Sequence, residues 1–478
     1  MVSTPNPVRR ALLLVGELLV RAGLVERERI ERATDLSWPR IVTGIARTSK
    51  SAADIAMVGI AVGPAAIAGV GFAALYWELV FSVATGVAGG MLGLVSQRYG
   101  ADEREALGLT VEGGAMVALL ITAPLAVAFW VIPGTLIGLV GSGGAPVGYG
   151  TEYLRVLALG VPFAALNLVG SRTLVGVDDA WTPMVLRGGG AAVNVLVNAV
   201  LIFGLGMGVT GAAIGTVVGN GVAAVAFSVG AVRGRLPWIG TFPVQLTLAR
   251  PHLDVGLVRQ LVTVSAPLIL AGAAHRFAGF VKLALVATLG PTIVAAFVVA
   301  MRVRGLMGTP GWGFSLASSS LVGQALGTGD EGSATEWAQD VLRFSVAVYA
   351  AIAAVVFLFA RPVGRIFVSD PALVPLVATF IRVACVSIVF GGVSSSAMGP
   401  LRASGDTRWL LYAQLAGMYL VALPLVYAGS ATALGVLGVY LAIVGEKAAP
   451  AALNYFRFRR GTWKAISREY RPEAAADD

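Results

Sequence analysis

Lys50 and Asp54 lie four residues apart in "TSKSAADIAMVGIAVGP" (48–64), where the chain first turns steadily apolar. On a helix this spacing puts an ammonium and a carboxylate on one face, with Arg47 a turn below. A charge at the centre of a bilayer costs at least ~2.5–3.5 kcal/mol on insertion scales, so it is rare there and marks function by default. Burial in a low dielectric favours the neutral form of a carboxyl group, the condition for exchanging a proton, whereas a close cation favours the ionised form. Asp54 therefore reads either as an ion-coupling carboxylate or as a charge that Lys50 merely neutralises.

Polar side chains recur at the same helical spacing. Asn194 and Asn198 in "RGGGAAVNVLVNAVLIFG", Thr216 and Asn220 in "GAAIGTVVGNG", and Asn167 and Ser171 each stand four apart. Asp54, Asn194, Asn198 and Thr216 form the candidate ion-coupling group, with Lys50, Asn167 and Asn220 as candidate cavity residues. Glu78, in "ALYWELVFS" beside Tyr76 and Trp77, is the candidate for attracting a cation. The alternative for Thr216 and Ser171 is an ordinary interhelical hydrogen bond, worth about 0.6 kcal/mol.

A second set is basic. "PLILAGAAHRFAGFVKLALV" carries His275, Arg276 and Lys282; Arg302, Arg304, Glu446 and Lys447 follow in later apolar stretches. Histidine titrates near neutral pH, so His275 reads as a coupling group or as a simply hydrogen-bonded residue. The long basic side chains either face a cavity or snorkel to an interface. Facing a cavity, they suit anionic or zwitterionic cargo better than cations.

The elements holding these residues must be membrane helices. Of 478 residues, 57% are hydrophobic and 13% charged, against ~25% charged in soluble domains, and the mean hydropathy is +0.81. The 61 glycines fit transmembrane helices, where Gly is enriched. One cysteine, Cys385, excludes an intrachain disulfide framework, and with only His252 and His275 besides, no structural metal site or cofactor is expected. The net charge of +9 does not point to nucleic acid, because the basic residues sit at loops and ends. The short apolar run in "MVSTPNPVRRALLLVGELLV" lacks a cleavage signature and reads as a surface amphipathic helix, with an uncleaved signal anchor as the alternative.

A span needs ~20 mostly apolar residues. Twelve are predicted, near 41–63, 69–96, 108–132, 152–175, 183–206, 209–232, 257–287, 292–325, 340–360, 374–402, 408–428 and 432–456. Arg98, Arg104, Arg233, Arg235, Arg250, Arg259, Arg402 and Arg408, with the tail's Arg457, Arg459, Arg460 and Lys464, fall in alternate loops and ends; "GPAAIAG", "GMGVTG" and "SATALG" carry no Lys or Arg. The positive-inside rule then makes both termini cytoplasmic.

The two halves repeat. Gly63-Pro64 matches Gly290-Pro291, Gln97 matches Gln324 and Arg155 matches Arg382, each 227 residues on; Asp178 with Asp406 and Trp181 with Trp409 follow at 228. Six spans per half then give a parallel repeat about an axis along the membrane normal. The expected fold is all-α: twelve transmembrane helices in two pseudo-symmetric six-helix bundles. The expected organisation is 1–40 N-terminal cytoplasmic amphipathic segment, 41–232 first lobe, 233–256 cytoplasmic linker, 257–456 second lobe and 457–478 a basic then acidic cytoplasmic tail.

The order "GPAAIAGVG", "QRYGA", "VDDAWTP…N…NAVLIFGLG", "LVGQALGTGD" and "LRASGDTRW" resembles the multidrug and toxic compound extrusion (MATE) family of the multidrug/oligosaccharidyl-lipid/polysaccharide exporter superfamily, over roughly 40–456. The resemblance implies two six-helix lobes forming a V and export of cationic or amphipathic compounds in exchange for protons or sodium ions. Asp54 matches the family's first-helix aspartate. Many prokaryotic relatives carry a fifth-span aspartate where this chain has Asn198, and some carry a seventh-span glutamate. That departure argues against a two-carboxylate proton relay and leaves sodium, held by asparagine carbonyls beside Asp54, as an alternative to H+. The expected partners are a small-molecule substrate, H+ or Na+, and the lipid bilayer of the cell membrane, around a monomer. A flippase for a lipid-linked saccharide or other amphiphile is the alternative function. No HExxH, GxSxG or intramembrane Asp pair suggests an enzyme.

Overall fold

The computed structural model describes residues 6–470 except 142, 238, 247–254 and 369. Arg250, His252 and the acidic end of the tail lie outside the described residues. Helix α1 (Pro7–Arg21) opens where the Asn6 side chain accepts a hydrogen bond from the Val8 N–H at 2.9 Å, and Pro7 sits where a helix needs no amide. It packs Gly16 against Ile30 of α2 (Arg27–Ala61), and Arg9 pairs with Asp35 at 2.7 Å.

Next come α3 (Pro64–Gly100), α4 (Arg104–Val131), a short α5 (Pro133–Gly138), α6 (Ala145–Gly176), α7 (Trp181–Gly204) and α8 (Gly208–Arg233). A two-residue hairpin pairs Arg235–Leu236 with Gly240–Thr241. Then follow α9 (Val255–Ala287), α10 (Pro291–Gly327), α11 (Glu331–Leu358), a short α12 (Ala360–Phe367), α13 (Val374–Ala403), α14 (Thr407–Ala431), α15 (Val436–Arg460) and α16 (Thr462–Glu469).

Among the described residues, 11 helices are long and apolar enough to cross a membrane: α3, α4, α6–α11 and α13–α15. The twelfth span of the sequence reading is α2. Arg47, Lys50 and Asp54 fall together in its apolar stretch, which is why composition alone passes it over. The helix also differs from the reading at its start. The chain does not break near residue 40 but stays helical from Arg27, through Pro39. Proline inside a membrane helix is tolerated where neighbouring groups take up the freed carbonyl.

The repeat is visible in the helix ends. Shifting α3 by 227 residues reproduces both ends of α10, and the same shift carries both ends of α4 onto α11. The junctions agree as well. Gly63 and Gly290 have φ of +111° and +104°, a region open to glycine, and each hands the chain to a proline at the first helical position.

The chain divides into two compact units. One comprises residues 42–95 and 102–269, the other 1–41, 96–101 and 270–478. In the first, Val58, Val70, Phe129, Leu154, Ile202 and Val209 belong to one buried cluster, with Tyr76 packed edge-on against Phe129 at 5.9 Å. Helices α7 and α8 meet at Gly190 and Gly219, where a methyl group on either would strike the other's carbonyl oxygen. That approach brings the Asn194–Asn198 face of α7 onto the Thr216–Asn220 face of α8. In the second unit, Phe314 stacks edge-on against Phe344 at 5.1 Å and Phe380 against Tyr440 at 4.8 Å.

Candidate functional site

Asp54 is buried in the first unit, its side chain 9% exposed. Each carboxylate oxygen has its own donor. Asn198 Nδ2 donates to Oδ1 at 2.7 Å, and Lys50 Nζ, one helical turn away, pairs with Oδ2 at 2.9 Å. Charge-assisted hydrogen bonds of this length are the strong ones, so Asn198 clamps α7 to α2 at this point, while the Lys50 pair runs along α2 itself. Lys50 Nζ also reaches Thr216 Oγ1 at 3.4 Å, which accepts from Asn194 Nδ2 at 3.2 Å. All four residues read as an ion-coupling group therefore lie in one network, with Lys50 at its centre. A buried tyrosine that the sequence reading passed over, Tyr153 of α6, stands beside Asp54 and Thr216.

A pocket of about 120 Å³ opens beside this network. Lys50, Asn194 and Thr216 form part of its wall. Asn167 and Asn220 form another part: Asn167 Nδ2 donates to Asn220 Oδ1 at 3.1 Å, and Asn220 Nδ2 to the Thr216 carbonyl at 2.9 Å. Arg47 lies 3.7 Å over the Phe81 ring centroid and pairs with Glu78. Glu78 is thus engaged by an arginine and is not among the pocket's lining residues. Arg187 of α7, also passed over, lines the pocket. Counting back from Asn198 and Asn194 in helical steps through Ala191 reaches Arg187 on the same face, and that spacing was the available signal.

The basic residues read from the second half gather in the other unit. Glu446, its side chain 0% exposed, pairs with Lys282 and accepts from Arg304 Nη2 at 3.0 Å. Lys282 also lies 5.9 Å from the Phe297 ring centroid. His275 Nδ1 is 3.1 Å from Gln414 Nε2, the hydrogen-bonded state of the blander reading. Arg276 is half-buried on α9, whereas Arg302 is exposed on α10 and takes no place in the Glu446 cluster. Two residues apart on a helix, Arg302 and Arg304 face nearly opposite ways, and packing selects Arg304.

Comparison with known proteins fits this architecture. The MatE family profile matches the chain twice, over residues 39–200 and 267–428. The chain is 26% identical to the multidrug resistance protein PmpM of Pseudomonas aeruginosa over 411 residues, 85% of each chain. It is likewise 26% identical to the probable multidrug resistance protein NorM of Bradyrhizobium diazoefficiens over 442 residues, 89% of this chain and 92% of that one. Among solved structures, the outward-facing conformation of a multidrug resistance MATE family transporter of the MOP superfamily has the same fold, with a TM-score of 0.81 at 21% identity over 98% of this chain and 100% of that one. A MOP superfamily transporter from Pyrococcus furiosus, described as having a binding pocket of reverse polarity, gives 0.79 at 21% identity over 97% and 99%. With the same profile met once in each half of the sequence, the chain belongs to the MatE family and is a membrane transporter of the multidrug and toxic compound extrusion type.

Proposed function

We propose that the protein exports small organic, amphipathic or drug-like compounds across the cell membrane by alternating access, coupled to H+ or Na+. Export is supported by family membership and by relatives named as multidrug resistance proteins. Coupling rests on one observation: a buried carboxylate, Asp54, ties α2 to α7 through Asn198 and pairs along its own helix with Lys50, which reaches Thr216 of α8, beside a polar pocket. An ion shifts a conformational equilibrium only through different affinity for the two states. Protonation of Asp54 weakens the charge-assisted bond from Asn198 that ties α7 to α2, and a sodium ion at the carboxylate displaces the Lys50 ammonium; either change favours whichever arrangement of the helices does not need those contacts. The working lobes are residues 41–232 and 257–456, joined by the linker 233–256, and both termini face the cytoplasm. The protein acts as a monomer.

The test is flux from proteoliposomes with proton and sodium gradients imposed separately. Cargo efflux driven by one gradient and not the other identifies the ion; no flux of any organic cargo under either sinks the proposal. A finer probe is Gly215→Ala. Its methyl group would overlap Asn198 Oδ1, forcing the amide off Asp54 while the helix keeps its hydrogen bonds. The expected result is a folded transporter with coupled efflux reduced about tenfold, the value of one charge-assisted hydrogen bond. Unchanged efflux would mean that the Asn198 contact does not serve coupling.

A second reading, a flippase for a lipid-linked saccharide or similar amphiphile, is favoured by the cations lining the pocket. It predicts transfer of a labelled amphiphile between leaflets without need of an aqueous cargo.

A further inference from the structure

The pocket in the first unit has an uncompensated charge. Three cations line it: Arg47, Lys50 and Arg187. Arg47 is paired with Glu78 and Lys50 with Asp54. Arg187 has no carboxylate or other hydrogen-bond acceptor among the described residues, and its buried Nη1 is left without a partner. Among the described residues, no aspartate or glutamate lines the pocket. An unpartnered guanidinium in such a place is costly, because burial removes the water that would otherwise satisfy its donors. The fixed fork of an arginine matches carboxylate, phosphate or sulfonate oxygens in pairs.

The rest of the wall describes the body of the ligand. Trp77 and Phe81 supply aromatic faces, and Gly188, Gly190, Ala191 and Gly219 leave α7 and α8 without bulk where they border the space. The volume of about 120 Å³ is close to the ~150 Å³ cavity that encloses a benzene ring. Asn167 adds a buried carbonyl oxygen, Oδ1, that has no donor. It suits a hydroxyl or amide hydrogen on the ligand.

The geometry points to an anion-selective pocket: its ligand is an amphiphile with a carboxylate, phosphate or sulfonate head that Arg187 grips, and an aromatic or flat apolar body set between Trp77, Phe81 and the small residues of α7 and α8. This deepens the export reading and rests on it for the pocket's being the cargo site. The same anionic head can belong to a free small molecule or to a lipid.

The test uses the purified full chain and a pair of one-ring probes of opposite charge, phenylphosphonate and benzylammonium, titrated calorimetrically in neutral detergent. Phenylphosphonate should bind about tenfold or more tightly than benzylammonium, as expected for one charge-assisted bidentate contact. Arg187→Gln should erase that preference, and Arg187→Lys, which keeps the charge but not the fork, should retain part of it. Should the glutamine variant not fold, the wild-type comparison alone decides. Equal affinities, or tighter binding of benzylammonium, overturn the inference, as does an Arg187→Gln variant that binds phenylphosphonate like wild type. Repeating the titration in nanodiscs of phosphatidylcholine with and without phosphatidylglycerol separates the two sources. Weaker phenylphosphonate binding in the presence of phosphatidylglycerol supports the proposal with a lipid headgroup as occupant, and unchanged binding supports it with a free anion. Failure here leaves export intact if proteoliposomes still move cationic cargo. Anion preference without flux of any organic cargo overturns export and leaves the binding site standing.

Discussion

In Asp54→Asn, gradient-driven efflux from proteoliposomes is expected to fall to the level of protein-free vesicles, with helix content and monodispersity as in wild type. The substitution keeps the shape and a hydrogen-bonding oxygen, so Asn198 Nδ2 retains an acceptor where it now meets Asp54 Oδ1 at 2.7 Å. What disappears is the charge. Lys50 then has Thr216 Oγ1, at 3.4 Å, as its remaining polar neighbour. Its side chain is 21% exposed and faces the pocket, so it can hydrate rather than unfold the lobe. Bound H+ or Na+ no longer distinguishes two states, and without that difference no gradient can drive cargo. Lys50→Ala is the informative companion. It removes the cation paired with Asp54 Oδ2 at 2.9 Å but leaves the Asn198 contact to Oδ1, so coupled efflux should fall without being abolished. Wild-type rates from Asp54→Asn under both gradients would rule out the assignment.

The sequence carried the architecture further than the site. Gly-Pro junctions 227 residues apart are local signals, and the helix ends obey them because chain length between turns is a one-dimensional property. The loop before α7 shows the limit of that logic. By identity Asp178 matches Asp406, yet the left-handed backbone is at Asp178 (φ +69°) and Gly405 (φ +84°), which keeps the 227 spacing. Asparagine and aspartate are the residues besides glycine that tolerate this conformation.

Site residues were legible where helical spacing groups them. The four-residue steps of Lys50 and Asp54, and of Asn194 and Asn198, come together as read. Arg187 was missed because a basic residue ahead of "GGG" looks like an interfacial one, and nothing local says that its face meets α6 and α8. Pairing between distant residues is illegible for the same reason. Lys282 and Glu446 are 164 residues apart, and only packing decides that the carboxylate meets Arg304 rather than Arg302.

Glu446→Gln is expected to be the most destabilising single change in the second unit, lowering unfolding free energy by about 3–5 kcal/mol, the usual consequence of removing one partner from a buried ion pair. The wild-type cluster balances one carboxylate, 0% exposed, against Lys282 and Arg304, whose side chains are 7% and 14% exposed. Arg304 Nη1 is already buried without a partner, and the amide of glutamine can accept from one cation but neutralises neither. Both charges would then remain in a low dielectric with no counter-charge, so the helices carrying them, α9 and α10, should loosen from α15. Denaturant unfolding in mixed micelles measures the loss directly. The control is the triple change Lys282→Met, Arg304→Met and Glu446→Leu, which removes the charges together and fills similar volume; replacements of this kind are typically neutral or stabilising. Stability recovered in the triple variant, with the single variant impaired, identifies desolvated charge as the cause. A Glu446→Gln protein as stable as wild type would mean that water or lipid headgroups reach the cluster and share its charge.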